Sequence, residues 1–319
     1  MSSPLPVINC ITQTKVLATG PTLRQQSRLP PANVDALLIW PRGGNSGDRL
    51  IVDASERYLK DRGIKAWRSD GSVEDAALAG DADYLRDLFS TFRGMVMFPG
   101  GGNVGIYPDN GMVRAAVISQ TSPRRHCLIF PQSALQSEPA LVNGQVTVWC
   151  RDATSQAILS KSGVRTDLVP DISLYMDDLI PKVPSGEGVF YIRRTPGVDA
   201  DAVDYGRVFE SRSADLTFGC PLDQINATLT PFELVISDLL HRGLIALMMR
   251  KKVVFMPVAY HKIKSFYSTW LNNEAGAAFV ENQQQLLEIS KNLRFATTDF
   301  ASLFCRHADP AFARFLLSA

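Results

Sequence analysis

His241 lies in residues 231–271, a stretch whose pattern predicts a strand, a helix, a second strand and a second helix. The short apolar run Leu234–Ile236 predicts a buried strand, and Asp238 is placed to cap the helix that follows it. His241 then falls in the first turn of that helix, where exposed N–H groups favour a bound anion. We favour a general acid or base over a purely structural histidine, because an imidazole exchanges protons near neutral pH. The structural interpretation is preferred for His126, His261 and His307.

Two glycine-containing loops are predicted to follow buried strands in the first part of the chain. Residues 43–48 follow the apolar run at 34–41, and Gly100–Asn103 follows Met95–Phe98. In open α/β sheets, ligands collect at the carboxyl ends of the strands. Neither loop matches a dinucleotide fingerprint or a P-loop, so a tight turn that requires positive φ is the alternative interpretation. Two such loops at one sheet edge favour a ligand site.

Basic residues also fall at the ends of predicted strands. Arg193 and Arg194 end a strand that begins at Gly188, while Lys262 and Lys264 follow the strand Val253–Met256. Guanidinium and ammonium groups at a ligand-binding edge suit an anionic ligand. A solvated basic surface is the alternative for each pair.

The acidic residues between these elements predict no metal site. Asp177 and Asp178 are expected at the surface, and they have no neighbouring cluster of ligands. Asp167 and Asp171 flank the end of a strand and are expected to fix loops. The five cysteines are scattered and none forms a Cys-x-x-C pair, which argues against a thiolate-bound metal.

Strands and helices alternate regularly along the chain, which predicts parallel sheets covered on both faces. We divide the chain into an N-terminal arm (1–33), a first domain (34–175), a linker (176–187) and a second domain (188–319). The linker assignment rests on two prolines, a serine and a glycine that fall close together.

Composition describes an ordinary globular protein and excludes several classes. The 319 residues are 45% hydrophobic and 20% charged, with a net charge of +1, which argues against a general nucleic-acid binder. No apolar run approaches the ~20 residues that span a bilayer, and the N-terminus does not resemble a signal peptide. An odd number of scattered cysteines indicates a reducing compartment. We therefore expect a cytoplasmic protein, and peripheral contact with the inner membrane remains an alternative.

Taken in order, these motifs resemble the polysaccharide pyruvyl transferase family over roughly residues 34–271. The resemblance implies a GT-B-like α/β fold, with two Rossmann-like domains facing a central cleft. The ordered motifs are Asn45–Asp48, Gly100–Asn103, Pro131–Ser133, Arg151-Asp152 with Ser155, Pro170-Asp171, Arg193, Ser237-Asp238 with His241, Tyr260, Lys262, Phe266-Tyr267 and Thr269-Trp270.

The resemblance also implies a reaction, the transfer of pyruvate from phosphoenolpyruvate to two hydroxyls of a sugar as a ketal during exopolysaccharide or cell-surface glycan biosynthesis. It requires no cofactor and no metal, and it implies a saccharide or lipid-linked oligosaccharide acceptor. His241 would be the catalytic acid or base. The donor-binding residues would be Arg193, Arg194, Asp238, Arg242 and Lys262. The acceptor and cleft loops would comprise Asn45, Gly47, Asp48, Gly100, Gly101, Gly102, Asn103, Gln132 and Ser133.

One departure from the family pattern bears on the donor. The family usually shows Asp-Arg-Leu-His where this chain has Asp238-Leu239-Leu240-His241, so Leu239 replaces an expected arginine. Either Arg242 or Arg194 supplies the anion contact, or the donor has changed, or activity is lost. A glycosyltransferase that uses a nucleotide-sugar donor on the same fold and a non-catalytic binding member are therefore the alternatives.

Overall fold

A computed structural model of the protein describes residues 30–31, 33–39, 46–69, 71–121, 125–142, 145–192, 211–214 and 221–318. Three residues that the sequence placed in the site, Asn45, Arg193 and Arg194, lie outside the described residues.

The first sheet contains seven parallel strands among the described residues, in the order β2-β1-β3-β5-β6-β7, with β4 paired to β5. Six helices accompany it in the part of the chain that the structure describes. The strands are β1 (Ala36–Leu38), β2 (Ala66–Arg68), β3 (Met95–Phe98), β4 (Gly101–Val104), β5 (Cys127–Ala134), β6 (Val146–Cys150) and β7 (Arg165–Leu168). The helices are α1 (Ser46–Asp61), α2 (Ser72–Ala79), α3 (Ala82–Thr91), α4 (Pro108–Gln120), α5 (Pro139–Val142) and α6 (Ala153–Lys161).

The second sheet has five parallel strands within the described ranges, in the order β12-β11-β10-β8-β9. A 3₁₀ helix, Ile172–Leu179, leads from the first sheet toward it. The strands are β8 (Val189–Ile192), β9 (Ser211–Ala214), β10 (Leu234–Ser237), β11 (Lys252–Phe255) and β12 (Ala277–Phe279). The helices are α7 (Leu222–Leu229), α8 (Leu240–Met248), α9 (Lys262–Phe266), which continues as a π-helix over Tyr267–Leu271, α10 (Gln283–Ser290) and α11 (Phe300–Ser318).

Burial of both faces explains why the strands are short, apolar and parallel. All eight residues of β5 and all five of β6 are buried, as expected for strands with helices on each face. In each sheet the strand order reverses direction, between β1 and β3 in the first and between β8 and β10 in the second. Ligands of such sheets bind beside these points, at the carboxyl ends of the strands. The predicted α/β architecture with parallel sheets is confirmed.

The C-terminal helix α11 packs against the first sheet, although it follows the second in sequence. The Phe312 ring lies 6.3 Å from the Trp149 ring of β6, and Phe304 lies 5.3 Å from Tyr58 of α1. Arg62, directly after α1, also forms an ion pair with Asp309. One continuous apolar core therefore spans both sheets. No helix among the described residues has the length and apolar character of a membrane span.

The predicted linker begins inside a buried element rather than in a free segment. Met176–Leu179 belong to the 3₁₀ helix, and Asp177, expected at the surface, is 2% exposed. Its carboxylate accepts hydrogen bonds from Lys182, from Arg250 Nη2 at 3.1 Å and from the Phe300 N–H at 3.0 Å. The surface prediction was wrong because these donors come from distant segments and make burial of the carboxylate affordable.

The contact between α8 and β11 requires a glycine. A Cβ atom at Gly243 would lie 2.2 Å from Cε1 of the buried Phe255 ring. Gly111 of α4 is also inside a helix, but a Cβ atom there would meet Glu138 at 3.5 Å, an ordinary contact. The same substitution is therefore expected to act in opposite directions at the two positions.

We predict that Gly243→Ala destabilises the protein by about 1–3 kcal/mol, because overpacking outweighs the gain of about 1 kcal/mol from replacing a helical glycine. Gly111→Ala, the matched control, should be neutral or should stabilise by up to about 1 kcal/mol. Urea unfolding of the three proteins measures both effects. Equal stability of Gly243→Ala and wild type would show that α8 does not pack on β11 this closely.

Candidate active site between the two sheets

Three side chains from separate strand ends meet between the sheets. Arg151 follows β6, Asp171 precedes the 3₁₀ helix beyond β7, and His241 is the second residue of α8. Arg151 Nη1 donates to Asp171 Oδ2 at 2.8 Å, and His241 Nε2 lies 3.2 Å from the same oxygen. Arg151 Nη1 also lies 3.5 Å from His241 Nε2. The first-turn position predicted for His241 is confirmed.

The Asp171 carboxylate is the anionic centre of this cluster. It is fully buried, and it also accepts the Ser173 N–H at 3.0 Å, which begins the 3₁₀ helix. Burial raises its pKa, but the charge and hydrogen bond of His241 and the charge of Arg151 outweigh burial and hold the pKa well below its usual range. Asp171 is therefore ionised at neutral pH. The loop-fixing role expected of Asp171 is present, but it is only part of what this residue does.

The carboxylate also defines the orientation of the imidazole. A carboxylate only accepts hydrogen bonds, so His241 Nε2 carries the proton that it donates to Asp171. Among the described residues, Nδ1 of His241 has no hydrogen-bond partner. The side chain retains 15% exposure. A ligand between the sheets would therefore meet an oriented imidazole through Nδ1.

The glycine-rich loop contacts this cluster through Gly102. A Cβ atom there would lie 2.6 Å from Arg151 Nη2 and 2.7 Å from the Tyr260 hydroxyl. Tyr260 donates that hydroxyl to the Gly102 carbonyl at 3.0 Å, and Lys262 Nζ lies 4.9 Å from the centre of the Tyr260 ring. Only glycine leaves room for both side chains. The loop therefore forms one wall of the cleft, and residues from the second sheet form the facing wall.

Gln132 and Ser133 were placed in a cleft loop, but the structure places them in β5, where both are fully buried. Gln132 Nε2 donates to the Pro99 carbonyl at 2.8 Å, which holds the glycine-rich loop. Ser133 accepts from Arg151 Nε at 2.8 Å and donates to Asp152 at 2.7 Å. The loop placement was wrong because β5 continues through Pro131 to Ala134. Both side chains support the cleft from behind.

Two residues near the start of the first domain also lie in a helix rather than in a loop. Gly47 and Asp48 belong to the first turn of α1, which begins at Ser46. The loop prediction extended too far because Gly and Asp are frequent turn residues. At this position the Asp48 carboxylate suits the positive end of the helix dipole.

Asn103 belongs to β4, and its side-chain oxygen is already engaged. Arg114 Nη1 donates to Asn103 Oδ1 at 2.8 Å, and Glu138 binds Arg114 Nε at 2.8 Å. Arg114 is 4% exposed, so this pairing holds the end of the glycine-rich loop firmly. Gly101 and Gly102 belong to β4 as well, so the loop prediction was wrong for three of these four residues, and only Gly100 precedes the strand. A Cβ atom at Gly100 would lie 2.7 Å from the Pro131 carbonyl, and Gly101 has φ +138°.

We expected Asp238 to cap the helix that carries His241, but it does not. Leu239 occupies the cap position and makes no side-chain cap bond. The reason lies one residue earlier, where the Ser237 hydroxyl accepts the Leu239 N–H at 3.0 Å and donates to the Leu239 carbonyl at 2.9 Å. This turn delays the start of the helix. Asp238, 4% exposed, and Arg242, 2% exposed, are both buried beside it, and Lys262 is nearly so.

Arg151 is the residue that sequence reasoning missed. It stood among the ordered motifs of the resemblance but was given no role in the site, although it follows the carboxyl end of β6 as Asp171 follows that of the neighbouring β7. Adjacent parallel strands bring their carboxyl ends together, so this shared position was the available signal. The cluster combines an oriented imidazole, an ionised carboxylate and a buried guanidinium. It suits proton transfer beside an anionic ligand.

The family model described as polysaccharide pyruvyl transferase matches residues 45–218, more than half of the 319-residue chain. The chain belongs to the polysaccharide pyruvyl transferase family. Family membership makes it a transferase that modifies glycans. No curated protein matches this transferase significantly.

Solved structures support the fold of the transferase. A functionally uncharacterized protein from Klebsiella pneumoniae has a TM-score of 0.59 at 16% identity, covering 77% of this chain and 93% of its own. UDP-GlcNAc 2-epimerase from Methanocaldococcus jannaschii, in complex with UDP-GlcNAc and UDP, has a TM-score of 0.50 at 8% identity, covering 89% and 99%. A Listeria monocytogenes protein assigned as a UDP-N-acetylglucosamine 2-epimerase has a TM-score of 0.54 at 6% identity, covering 86% and 91%. The expected GT-B-like fold is confirmed.

We predict that Asp171→Asn destabilises the transferase by about 3–5 kcal/mol at pH 7, because it leaves the buried Arg151 without its counter-charge. Asparagine can still cap the 3₁₀ helix, so the loss of stability measures the effect of removing the negative charge. The lowered pKa of Asp171 means that its stabilisation is complete above about pH 4 and declines below it. The difference between wild type and variant should therefore narrow by about 1.4 kcal/mol per pH unit below pH 4.

Chemical unfolding of both proteins between pH 3 and pH 8 provides this comparison. Asp83→Asn, which disrupts an exposed pair with Arg86, is the control and should cost less than about 1 kcal/mol at every pH. A pH-independent difference for Asp171→Asn would mean that its carboxylate is not the anionic partner of Arg151 and His241.

Proposed function

We propose that the protein transfers pyruvate from phosphoenolpyruvate to two hydroxyls of a sugar as a cyclic ketal, during the biosynthesis of exopolysaccharide or cell-surface glycan. The observation that carries this proposal is His241, held through Nε2 by Asp171 and placed beside the buried Arg151. Within a pyruvyl transferase family chain, this cluster offers both a proton donor and a cation for the donor substrate.

The proposed chemistry requires one well-placed proton. His241 in its doubly protonated form keeps the Nε2 proton on Asp171 and delivers the Nδ1 proton to the methylene carbon of phosphoenolpyruvate, which becomes the methyl group. Positive charge develops at the neighbouring carbon. One sugar hydroxyl adds to that carbon, the phosphate leaves, and the second hydroxyl adds in its place. One hydroxyl proton restores His241 and the other leaves with inorganic phosphate. The sum is phosphoenolpyruvate plus a diol, giving a pyruvate ketal plus phosphate, without cofactor or metal.

Arg151 is our choice for the donor contact that Leu239 cannot make. Both Arg151 and Arg242 are buried, but Nη1 of Arg151 lies 3.5 Å from His241 Nε2, which places this guanidinium beside the proposed acid. A phosphate and a carboxylate entering a partly dry cleft need charged donors, because unpaired charge there is costly. Lys262, next to Tyr260 at the glycine-rich loop, would supply a second cation. We retain Asp238 and Arg242 as supports of the donor site and Arg193 and Arg194 as further contacts.

The acceptor sugar would enter from the side of the glycine-rich loop, near Gly102 and Asn103. The amide nitrogen of Asn103 would then face the sugar, because its oxygen is bound by Arg114. Asn45, Gly47 and Asp48 would extend the same wall. We place the protein in the cytoplasm, at the inner membrane if the acceptor is lipid-linked.

The alternative is a nucleotide-sugar donor on the same fold. It is favoured by the likeness to an epimerase structure that contains UDP-GlcNAc and UDP, and by the loss of the family arginine at Leu239. In that case, the cations of the cleft would contact a diphosphate. A non-catalytic member of the family would bind a glycan or a partner without releasing phosphate.

We predict that wild type with a glycan acceptor releases inorganic phosphate from phosphoenolpyruvate, and that His241→Gln lowers this rate by about 10²–10⁴-fold. Glutamine keeps a polar side chain of similar size but cannot transfer the proton. His126→Gln, which alters a histidine whose ring contacts Phe315 of α11 away from the cluster, should leave the rate within about twofold. Release of inorganic phosphate measures consumption of phosphoenolpyruvate, and mass spectrometry of the glycan measures formation of the ketal.

Three results would change the assignment. Release of nucleotide from a sugar nucleotide, without phosphate release from phosphoenolpyruvate, would favour the glycosyltransferase. The absence of both reactions, with glycan binding retained, would favour the non-catalytic member. Normal phosphoenolpyruvate turnover by His241→Gln would show that another group supplies the proton.

A further inference from the structure

The N-terminus of α6 lies close after Arg151 and is capped partly by the crossover between β11 and β12 of the second sheet. This crossover comprises α9 and the π-helix that follows it. The first N–H of the helix, on Ala153, donates to Thr269 Oγ1 at 3.1 Å. The second, on Thr154, donates to Ser265 Oγ at 3.2 Å. Only the third N–H, on Ser155, is satisfied locally, by the cap residue Asp152 at 2.9 Å.

The cap is thus shared between Asp152, next to the helix, and a segment that is distant in sequence, which is unusual. Helix N-terminal N–H groups are ordinarily satisfied by the helix's own cap residue or by water. Here two of the three partners come from α9 and the following π-helix, more than 100 residues later. The start of α6 is therefore complete only when the crossover between β11 and β12 is in place.

A third contact from the same crossover fixes Arg151 itself. The indole N–H of Trp270 donates to the Arg151 carbonyl at 2.7 Å. The Arg151 N–H is held from the other side by the Gln132 carbonyl at 3.0 Å. The backbone of Arg151 is thus fixed by the first sheet through its N–H and by the second through its carbonyl, while its guanidinium faces His241.

We infer that Ser265, Thr269 and Trp270 are positioning residues of the proposed transferase, which set the place of Arg151 relative to His241. This inference rests on the proposed function for its catalytic consequence. Arg151 and His241 belong to different sheets, so their separation depends on how the sheets meet. The three side chains fix that arrangement directly at residues 151–154. None of them needs to touch the substrate.

Small displacements of charged groups have large effects on catalytic rate. A displacement of about 1 Å at a reacting group can cost about 10²-fold in rate. Loss of one of the three contacts should lower the catalytic rate by less, on the order of tenfold. The expected signature is a fall in catalytic rate without a comparable fall in stability.

The first test compares two tryptophans. Trp270→Phe removes the N–H that holds Arg151 but keeps an aromatic ring against the core. Trp149→Phe removes an indole whose buried Nε1 has no partner among the described residues, so it changes packing alone. We expect kcat/KM for phosphoenolpyruvate to fall about tenfold in Trp270→Phe, with little change in Tm. Trp149→Phe should show the reverse, a lower Tm with kcat/KM within about twofold.

The second test needs no activity. Thr269→Val removes the hydroxyl that accepts the Ala153 N–H and that also donates to the Ser265 carbonyl, four residues earlier. Thr228→Val is the matched control, because the Thr228 hydroxyl donates to the Gln224 carbonyl four residues earlier. We expect hydrogen exchange of the Ala153 amide to accelerate about tenfold in Thr269→Val and to remain unchanged in Thr228→Val.

The two tests separate failure of the inference from failure of the proposed function. If wild type does not turn over phosphoenolpyruvate, the proposed donor is wrong, and the exchange experiment alone decides whether the crossover holds residues 151–154. Unchanged Ala153 exchange in Thr269→Val overturns the inference in either case. Where wild type is active, equal kcat/KM for Trp270→Phe and wild type also overturns it.

Discussion

The buried ion pair between Arg151 and Asp171 is the interaction on which the site depends. Both side chains are almost completely buried, and neither could remain charged there without the other. Such a pair contributes little net stability relative to apolar residues, but removing one partner is costly because a bare charge remains. Its value to the molecule lies in specifying one arrangement. Asp171 orients the Arg151 guanidinium, and His241 completes the same cluster from the second sheet.

This constraint links the fold to the proposed chemistry. The pair holds the ends of β6 and β7 together, and the hydrogen bond to His241 assigns the imidazole proton to Nε2. A cation, a proton donor and a wall of glycine backbone then share one cleft between the sheets. The replacement of the family arginine by Leu239 is compatible with this arrangement, because Arg151 already places a guanidinium beside His241.

Sequence patterns that are local in the chain predicted the structure well. The apolar run Leu234–Ile236 became β10, and His241 fell in the first turn of α8, as expected. The exact start of α8 could not be predicted, because the Ser237 hydroxyl bonds the backbone of Leu239 and delays the helix by one residue. Turn propensities alone do not reveal such a side-chain bond.

Features that depend on distant contacts were missed for a physical reason. Arg151 and His241 are 90 residues apart and belong to different sheets, so no local pattern reports their contact. The burial of Asp177 likewise depends on Arg250, 73 residues later. A charged residue is predicted to lie at the surface unless its partner is known, because only a partner offsets the cost of burying the charge.

The most direct test of the central claim is a calorimetric titration of phosphoenolpyruvate into wild type and Arg151→Lys, with the exposed Arg86→Lys as the control. Lysine keeps the charge but loses the planar, multiply hydrogen-bonding guanidinium. A charge-assisted hydrogen bond contributes roughly 1.5–3 kcal/mol, so we predict that Arg151→Lys raises the dissociation constant about ten- to a hundredfold. Arg86→Lys should bind as wild type does. Equal affinity of wild type and Arg151→Lys, or no binding by wild type, would contradict the account.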